Sequence, residues 1–148
     1  MGRLLILKKV LKMGMIILVF LSLFITINLN LSASDIGLKK IRCTCYIING
    51  ITASGQETRD GIVAGRSEDL GKVAAIYRYN GDGSVGEFIG YYEFLDTGAG
   101  IDTDNDGEGD SIKKGLSIDI WKSDMVEVND WIAEYGDYVY IKIIDAEG

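Results

Sequence analysis

Two carboxylates stand out by their setting. In Phe94-Leu95-Asp96-Thr97-Gly98-Ala99 an apolar strand ends in an acid, followed by a hydroxyl residue and a glycine turn. That order lifts Asp96 to the rim of a sheet, where the Thr97 hydroxyl and glycine amides can orient its carboxylate. Asp119 lies between Ile118 and Ile120 on another apolar run. Alternation turns it to the face opposite its neighbours, and a carboxyl group among apolar residues keeps its proton to higher pH. Two carboxylates that meet at one groove divide the work, one staying ionised while the other holds a proton for general-acid catalysis. Taken singly, each acid also reads as a solvated rim residue or a turn cap. The chain has no histidine, which excludes Ser-His and Cys-His nucleophile pairs, histidine metal sites and the usual neutral-pH proton shuttle.

A third acidic feature is Asp102-Thr103-Asp104-Asn105-Asp106-Gly107-Glu108-Gly109-Asp110. Asp102, Asp104, Asp106 and Asp110 occupy positions 1, 3, 5 and 9 of a Ca²⁺-loop pattern, with Gly107 at the tight-turn position 6. Position 12, normally a bidentate glutamate, is Lys113. The segment therefore reads either as a structural Ca²⁺ loop or as a solvated acidic connection between the two aspartate motifs. Acid-base chemistry by paired carboxylates requires no cofactor. Cys43 and Cys45 share one face of a strand, too close in sequence for a relaxed disulfide. They read as small buried residues, with a metal or redox pair and oxidation with a partner chain as the other options.

The elements that must position these residues are mostly strands. Ile41, Cys43, Cys45 and Ile47 alternate with Arg42, Thr44 and Tyr46, the two-residue period of a half-buried strand over residues 40–48. Apolar runs at 61–64, 72–79, 86–95, 115–121 and 138–144 are predicted strands, and Asn80-Gly81-Asp82-Gly83 is a hairpin signal. Met125, Val128, Trp131, Ile132 and Tyr135 recur at helical spacing, with Asp124 and Glu127 placed as a capping box and Gly136 as the stop. Five or six short strands with one late helix favour a small β-barrel over a sandwich.

The same residues carry a family resemblance. From Thr44 onward the chain resembles the three-aspartate domain, a six-stranded double-psi β-barrel module of bacterial cell-wall proteins, related to the C-terminal barrel region of membrane-bound lytic transglycosylase A. The matching pieces are Thr44-Cys45-Tyr46, Ile51-Thr52-Ala53-Ser54-Gly55, Ile62-Val63-Ala64, Leu70-Gly71, Asp96-Thr97-Gly98, Gly115 with Ile118-Asp119-Ile120, and Tyr135-Gly136 before Tyr138-Val139-Tyr140-Ile141. They follow the family order over most of the domain. Two of the three aspartates are kept, as Asp96 and Asp119; Gly65 stands at the first and Asp69 at the usual proline.

The resemblance implies cleavage of the β-1,4 bond between N-acetylmuramic acid and N-acetylglucosamine to 1,6-anhydro products. It implies Asp119 as the titrating acid, with Asp96 beside it raising its pKa and binding sugar hydroxyls. Tyr46, Thr52, Ser54, Gly55, Thr97 and Gly98 would line the glycan groove, and peptidoglycan strands would be the partner. A non-catalytic wall-binding or scaffolding module on the same barrel is the alternative. A further one is a retropepsin-like aspartic protease, because residues 94–99 are similar to that family's active-site strand; their late position and the lack of a following Ile-Ile-Gly-Arg-like strand speak against it.

Localisation is read from the N-terminus. Arg3, Lys8, Lys9 and Lys12 precede an apolar run over 13–27, then Asn28, Asn30 and the small residues Ser32, Ala33 and Ser34. This is the form of a secretory signal; uncleaved, the segment would anchor the chain in a membrane as an apolar helix. The expected division is 1–34 as signal or anchor and 35–148 as an extracytoplasmic domain. That domain holds 11 Lys and Arg against 22 Asp and Glu, a net charge of −11, and such a surface disfavours nucleic acid.

Overall fold

The computed structural model describes residues 37–146; the expected signal or anchor segment lies outside the described residues. Six strands and one helix follow in order: β1 Lys39–Tyr46, β2 Ile62–Gly65, β3 Val73–Tyr79, β4 Val85–Thr97, β5 Ser117–Trp121, α1 Met125–Tyr135 and β6 Tyr138–Ile144. The strands close into a barrel in the order β1-β5-β2-β4-β3-β6, with β6 returning to β1. β1 pairs with β5 and β2 with β4 in parallel; the remaining neighbours are antiparallel. Every strand is paired on both sides over part of its length, although Val85–Tyr92 of β4 pair with β3 alone.

Alternation sorts side chains onto two faces. Ile41, Cys43, Val63, Phe94, Ile118, Ile120, Val139 and Ile141 fill the interior together with Ala74 and Ile76. Each large apolar group buried there contributes about 1.5–3 kcal/mol. Trp131 of α1 joins this core, and its ring packs at 4.6 Å from Tyr135 and 5.9 Å from Tyr92. A smaller cluster, Ile62, Leu95 and Trp121 with Tyr46 against it, covers the opposite face of the β1-β5-β2-β4 segment.

The helix forms where its caps predict. Asp124 accepts from the amides of Val126 and Glu127 at 2.8 and 3.0 Å, and Gly136 ends the helix at a φ of 74°. Glu127 reaches one residue further back than a standard capping box, to the Ser123 amide at 3.0 Å. β4 runs past its expected end to Thr97 and carries an irregularity: Val63 pairs with Phe94, but Ala64 pairs with Asp96. Leu95 is the extra residue of a bulge, so Leu95 and Asp96 both face outward.

Candidate functional site

The outer face of β1, β5, β2 and β4 gathers the sequence-predicted acids. Ala64 is the register partner of Asp119 on one side and of Asp96 on the other. Two interstrand steps put their Cα atoms about 10 Å apart. Thr44 on β1 is the register partner of Asp119 from its other side. The two aspartates thus occupy one row of one face, although they lie on separate strands joined through the acidic loop.

Their environments differ. Asp96 is held by three donors: Oδ1 accepts from the amides of Ala53 at 3.0 Å and Thr97 at 2.9 Å, and Oδ2 from the Tyr46 hydroxyl at 3.2 Å. The glycine amides and Thr97 hydroxyl expected to orient it are not among its partners. Asp119 has the opposite character: its Oδ1 is buried without a hydrogen-bond partner among the described residues. Burial pushes its carboxyl above the ordinary range, partly offset by the Thr44 hydroxyl. The like-charge effect of Asp96 that the resemblance implied does not contribute; desolvation alone raises Asp119.

Tyr46 links the pair. Its phenol is pushed well up, first by burial and then by the charge of Asp96, with a smaller push from Asp119. It is therefore a neutral donor at physiological pH that feels both carboxylates.

The 47–60 connection folds back over this face. Trp121 Nε1 donates to the Ile48 carbonyl at 3.1 Å, and the Ser54 amide donates to the Leu95 carbonyl at 2.9 Å. Thr52 is buried and its hydroxyl is engaged inside the loop, with the Gln56 carbonyl at 2.9 Å and Ser54 Oγ at 3.0 Å. Gly55 turns the chain at a φ of 83°, its amide donating to the Thr52 carbonyl. This turn aims the Ala53 amide at Asp96. Thr97 and Gly98 line a separate groove of about 330 Å³ with Gly65, Arg66, Ser67, Glu68 and Lys113. Gly98 is required by close approach, since a Cβ there would come within 2.9 Å of Ile112 Cδ1.

The acidic loop is partly organised as expected. Asp102, Asp104 and Asp106 are exposed, with carboxylate oxygens within 4.8 Å of one another. Asp102 accepts from the amides of Asp104, Asn105 and Gly107. Asp110 stands apart from this trio, bonded to Thr103 and ion-paired with Lys114. Lys114 also donates to Asp104 Oδ2 at 2.7 Å. Cys43 and Cys45 are free thiols on the inward face, and burial lifts Cys45 to about 11, so neither behaves as a thiolate nucleophile.

Sequence reasoning missed two contributors. The Ala53 amide could be identified only once the loop was seen to cross β4, and Arg42 read as an ordinary outward strand residue. Comparison with protein-family models, curated proteins and solved structures finds no match to this chain.

Proposed function

We propose that the chain is an exported, wall-facing double-psi β-barrel acting on peptidoglycan as a lytic transglycosylase. The observation that carries the reading is Asp119: a carboxyl group with an unpartnered buried oxygen, held up in pKa by burial, in register with a second carboxylate across one alanine. The crossed parallel pairs β1/β5 and β2/β4 within one closed barrel support the fold assignment.

In this reading protonated Asp119 gives its proton to the glycosidic oxygen as the bond to muramyl C1 breaks. The resulting carboxylate then takes the proton of the muramyl C6 hydroxyl, whose oxygen closes onto C1. Asp119 ends protonated, no water is consumed, and one titrating acid suffices, unlike the two-carboxylate hydrolases. Asp96, anchored by Tyr46 and Ala53, binds sugar hydroxyls beside it.

A second reading, a wall-binding module without catalysis, is favoured by a specific feature. Asp119 lines none of four cavities of the described residues, the largest of them about 450 Å³ beside Trp131 and Lys122, and Gly65 stands where the resemblance calls for a third acid. Digestion of purified sacculi by the full-length chain separates the two. Release of 1,6-anhydromuramyl products, with or without stem peptide, detected by mass spectrometry and lost in Asp119→Asn by at least about 100-fold, supports catalysis. Sedimentation with the wall without release supports binding alone.

A further inference from the structure

Arg42 is the anomaly of this face. In a region with twice as many acids as bases, three of the four described arginines hold carboxylates: Arg59 pairs with Glu93, Arg66 with Glu68 and Asp69, and Arg78 with Glu87 and Glu134. Arg42 pairs with none among the described residues, and its Nε is buried without a hydrogen-bond partner. Its terminal nitrogens have no hydrogen-bond partner among the described residues and are not buried orphans. Lys40, the other cation on this side of β1, is engaged over the rings of Tyr79 and Tyr138 at 3.8 and 4.5 Å.

Placement gives this cation, which has no carboxylate partner among the described residues, a use. Arg42, Thr44 and Tyr46 share the outward face of β1; Arg42 is the register partner of Ser117 and Thr44 of Asp119. Two residues along a strand and one step across put the Cα atoms of Arg42 and Asp119 about 8 Å apart, roughly the span of one sugar and its substituent. Packing of Nε against the protein fixes the stem, so the terminal fork is presented with little ordering left to lose on binding. A planar guanidinium fork matches a carboxylate in two parallel hydrogen bonds.

We infer that Arg42 is the specificity-determining residue of the glycan-binding face and binds the free lactyl carboxylate of a muramyl residue. The inference rests on the glycan reading of this face. Between the two sugars of the wall polymer only muramic acid carries that group, so Arg42 selects which sugar presents its C1 to Asp119. The lactyl carboxylate is free only where the stem peptide has been removed, so an amide hydrolysis at the lactyl group must supply this substrate.

The test measures binding of short glycans to the full-length chain carrying Asp119→Asn, which leaves the strands uncut. Four ligands are compared by titration calorimetry: a peptide-free wall tetrasaccharide, the same compound with its carboxylates methylamidated, chitotetraose, and a peptide-bearing tetrasaccharide. The last distinguishes stem-peptide carboxylates from the lactyl group. The free-carboxylate ligand binds about tenfold tighter than its methylamide. Arg42→Gln abolishes that preference while leaving chitotetraose binding unchanged, and Arg42→Lys keeps part of it. Equal affinity for carboxylate and methylamide, a preference that survives Arg42→Gln, or tightest binding of the peptide-bearing ligand overturns the inference and leaves the glycan reading standing. Absence of binding to every glycan removes both. The ligand comparison needs no substitution at Arg42, so a misfolded variant does not shelter the idea.

Discussion

Asp96 and Asp119 reach the same alanine from opposite sides: Ala64 of β2 is in register with Asp96 on β4 and with Asp119 on β5. The coincidence depends on the bulge at Leu95. Strict alternation from the buried Phe94 would turn Leu95 out and Asp96 in, toward the apolar interior. The extra residue restores the outward direction at Asp96, where Tyr46 and the Ala53 amide meet it.

The half-buried Asp119 carboxyl, one oxygen of which is sealed from solvent, has a consequence for stability as well as for chemistry. Its folded pKa is raised, so between the unfolded value, about 3.9, and the folded one the native state binds the extra proton. Stability is therefore highest below that window and falls as pH rises through it. Asp119→Asn abolishes this dependence, and the variant melts at a higher temperature than wild type at neutral pH, with the gain vanishing in acid. Thermal unfolding followed by circular dichroism across pH checks this; a variant that is less stable at neutral pH contradicts it.

Gly65 is constrained by packing beneath it. A Cβ there would lie within 2.5 Å of Phe94 Cδ1, and Phe94 is 1% exposed in the core. Gly65→Ala is expected to cost about 1–3 kcal/mol through overpacking. Gly65→Ala combined with Phe94→Leu should be less destabilised than the two single effects added together, because the smaller side chain opens the space. Strict additivity in urea melts would show that Phe94 does not set the constraint.

How much of this was legible in the sequence follows from the range of each interaction. The helix was, because Asp124, Gly136 and the 3.6-residue spacing of Val128 and Trp131 are local signals. Asp119 was, because two isoleucines on regular alternation fix its face. The outward direction of Asp96 was not a consequence of alternation, since a bulge is a property of two paired strands. The Tyr46 to Asp96 bond spans 50 positions, and the lack of a carboxylate partner for Arg42 among the described residues is visible only once the acids around it have been placed. In the acidic loop the spacing anticipated the Asp102, Asp104 and Asp106 trio but not the diversion of Asp110 to Lys114.

Asp69 anchors the turn after β2. It is buried at 3% exposure and bonded to Arg66 at 2.7 Å and Lys72 at 3.2 Å. Burial pushes its pKa up, but the bonds from Arg66 and Lys72 outweigh it and leave the carboxyl below its usual range. Stability from this cluster is therefore complete above the ordinary carboxylate pKa and is lost as pH falls through the depressed value. Asp69→Asn should cost about 1–3 kcal/mol at neutral pH, less than a wholly buried pair because both partners keep contact with water. Urea unfolding at neutral and acid pH checks the sign: the difference between wild type and variant must shrink in acid.

Lys114 competes for the ligands a calcium ion would use. Its ammonium is bonded to Asp104 Oδ2 at 2.7 Å and paired with Asp110. These hydrogen bonds hold Lys114 above its usual pKa, and those from Lys114 and Thr103 draw Asp110 down to about 2. A Ca²⁺ ion needs oxygens at about 2.3–2.6 Å and has no use for a neighbouring cation, so binding to Asp102, Asp104 and Asp106 requires Lys114 to leave. Wild type should bind calcium weakly, Lys114→Gln more tightly, and Asp104→Asn not at all, as read by titration calorimetry and by the rise in melting temperature that a native-state ligand produces. If Lys114→Gln shows neither heat nor stabilisation with calcium, the loop is a solvated acidic connection and not a cation site.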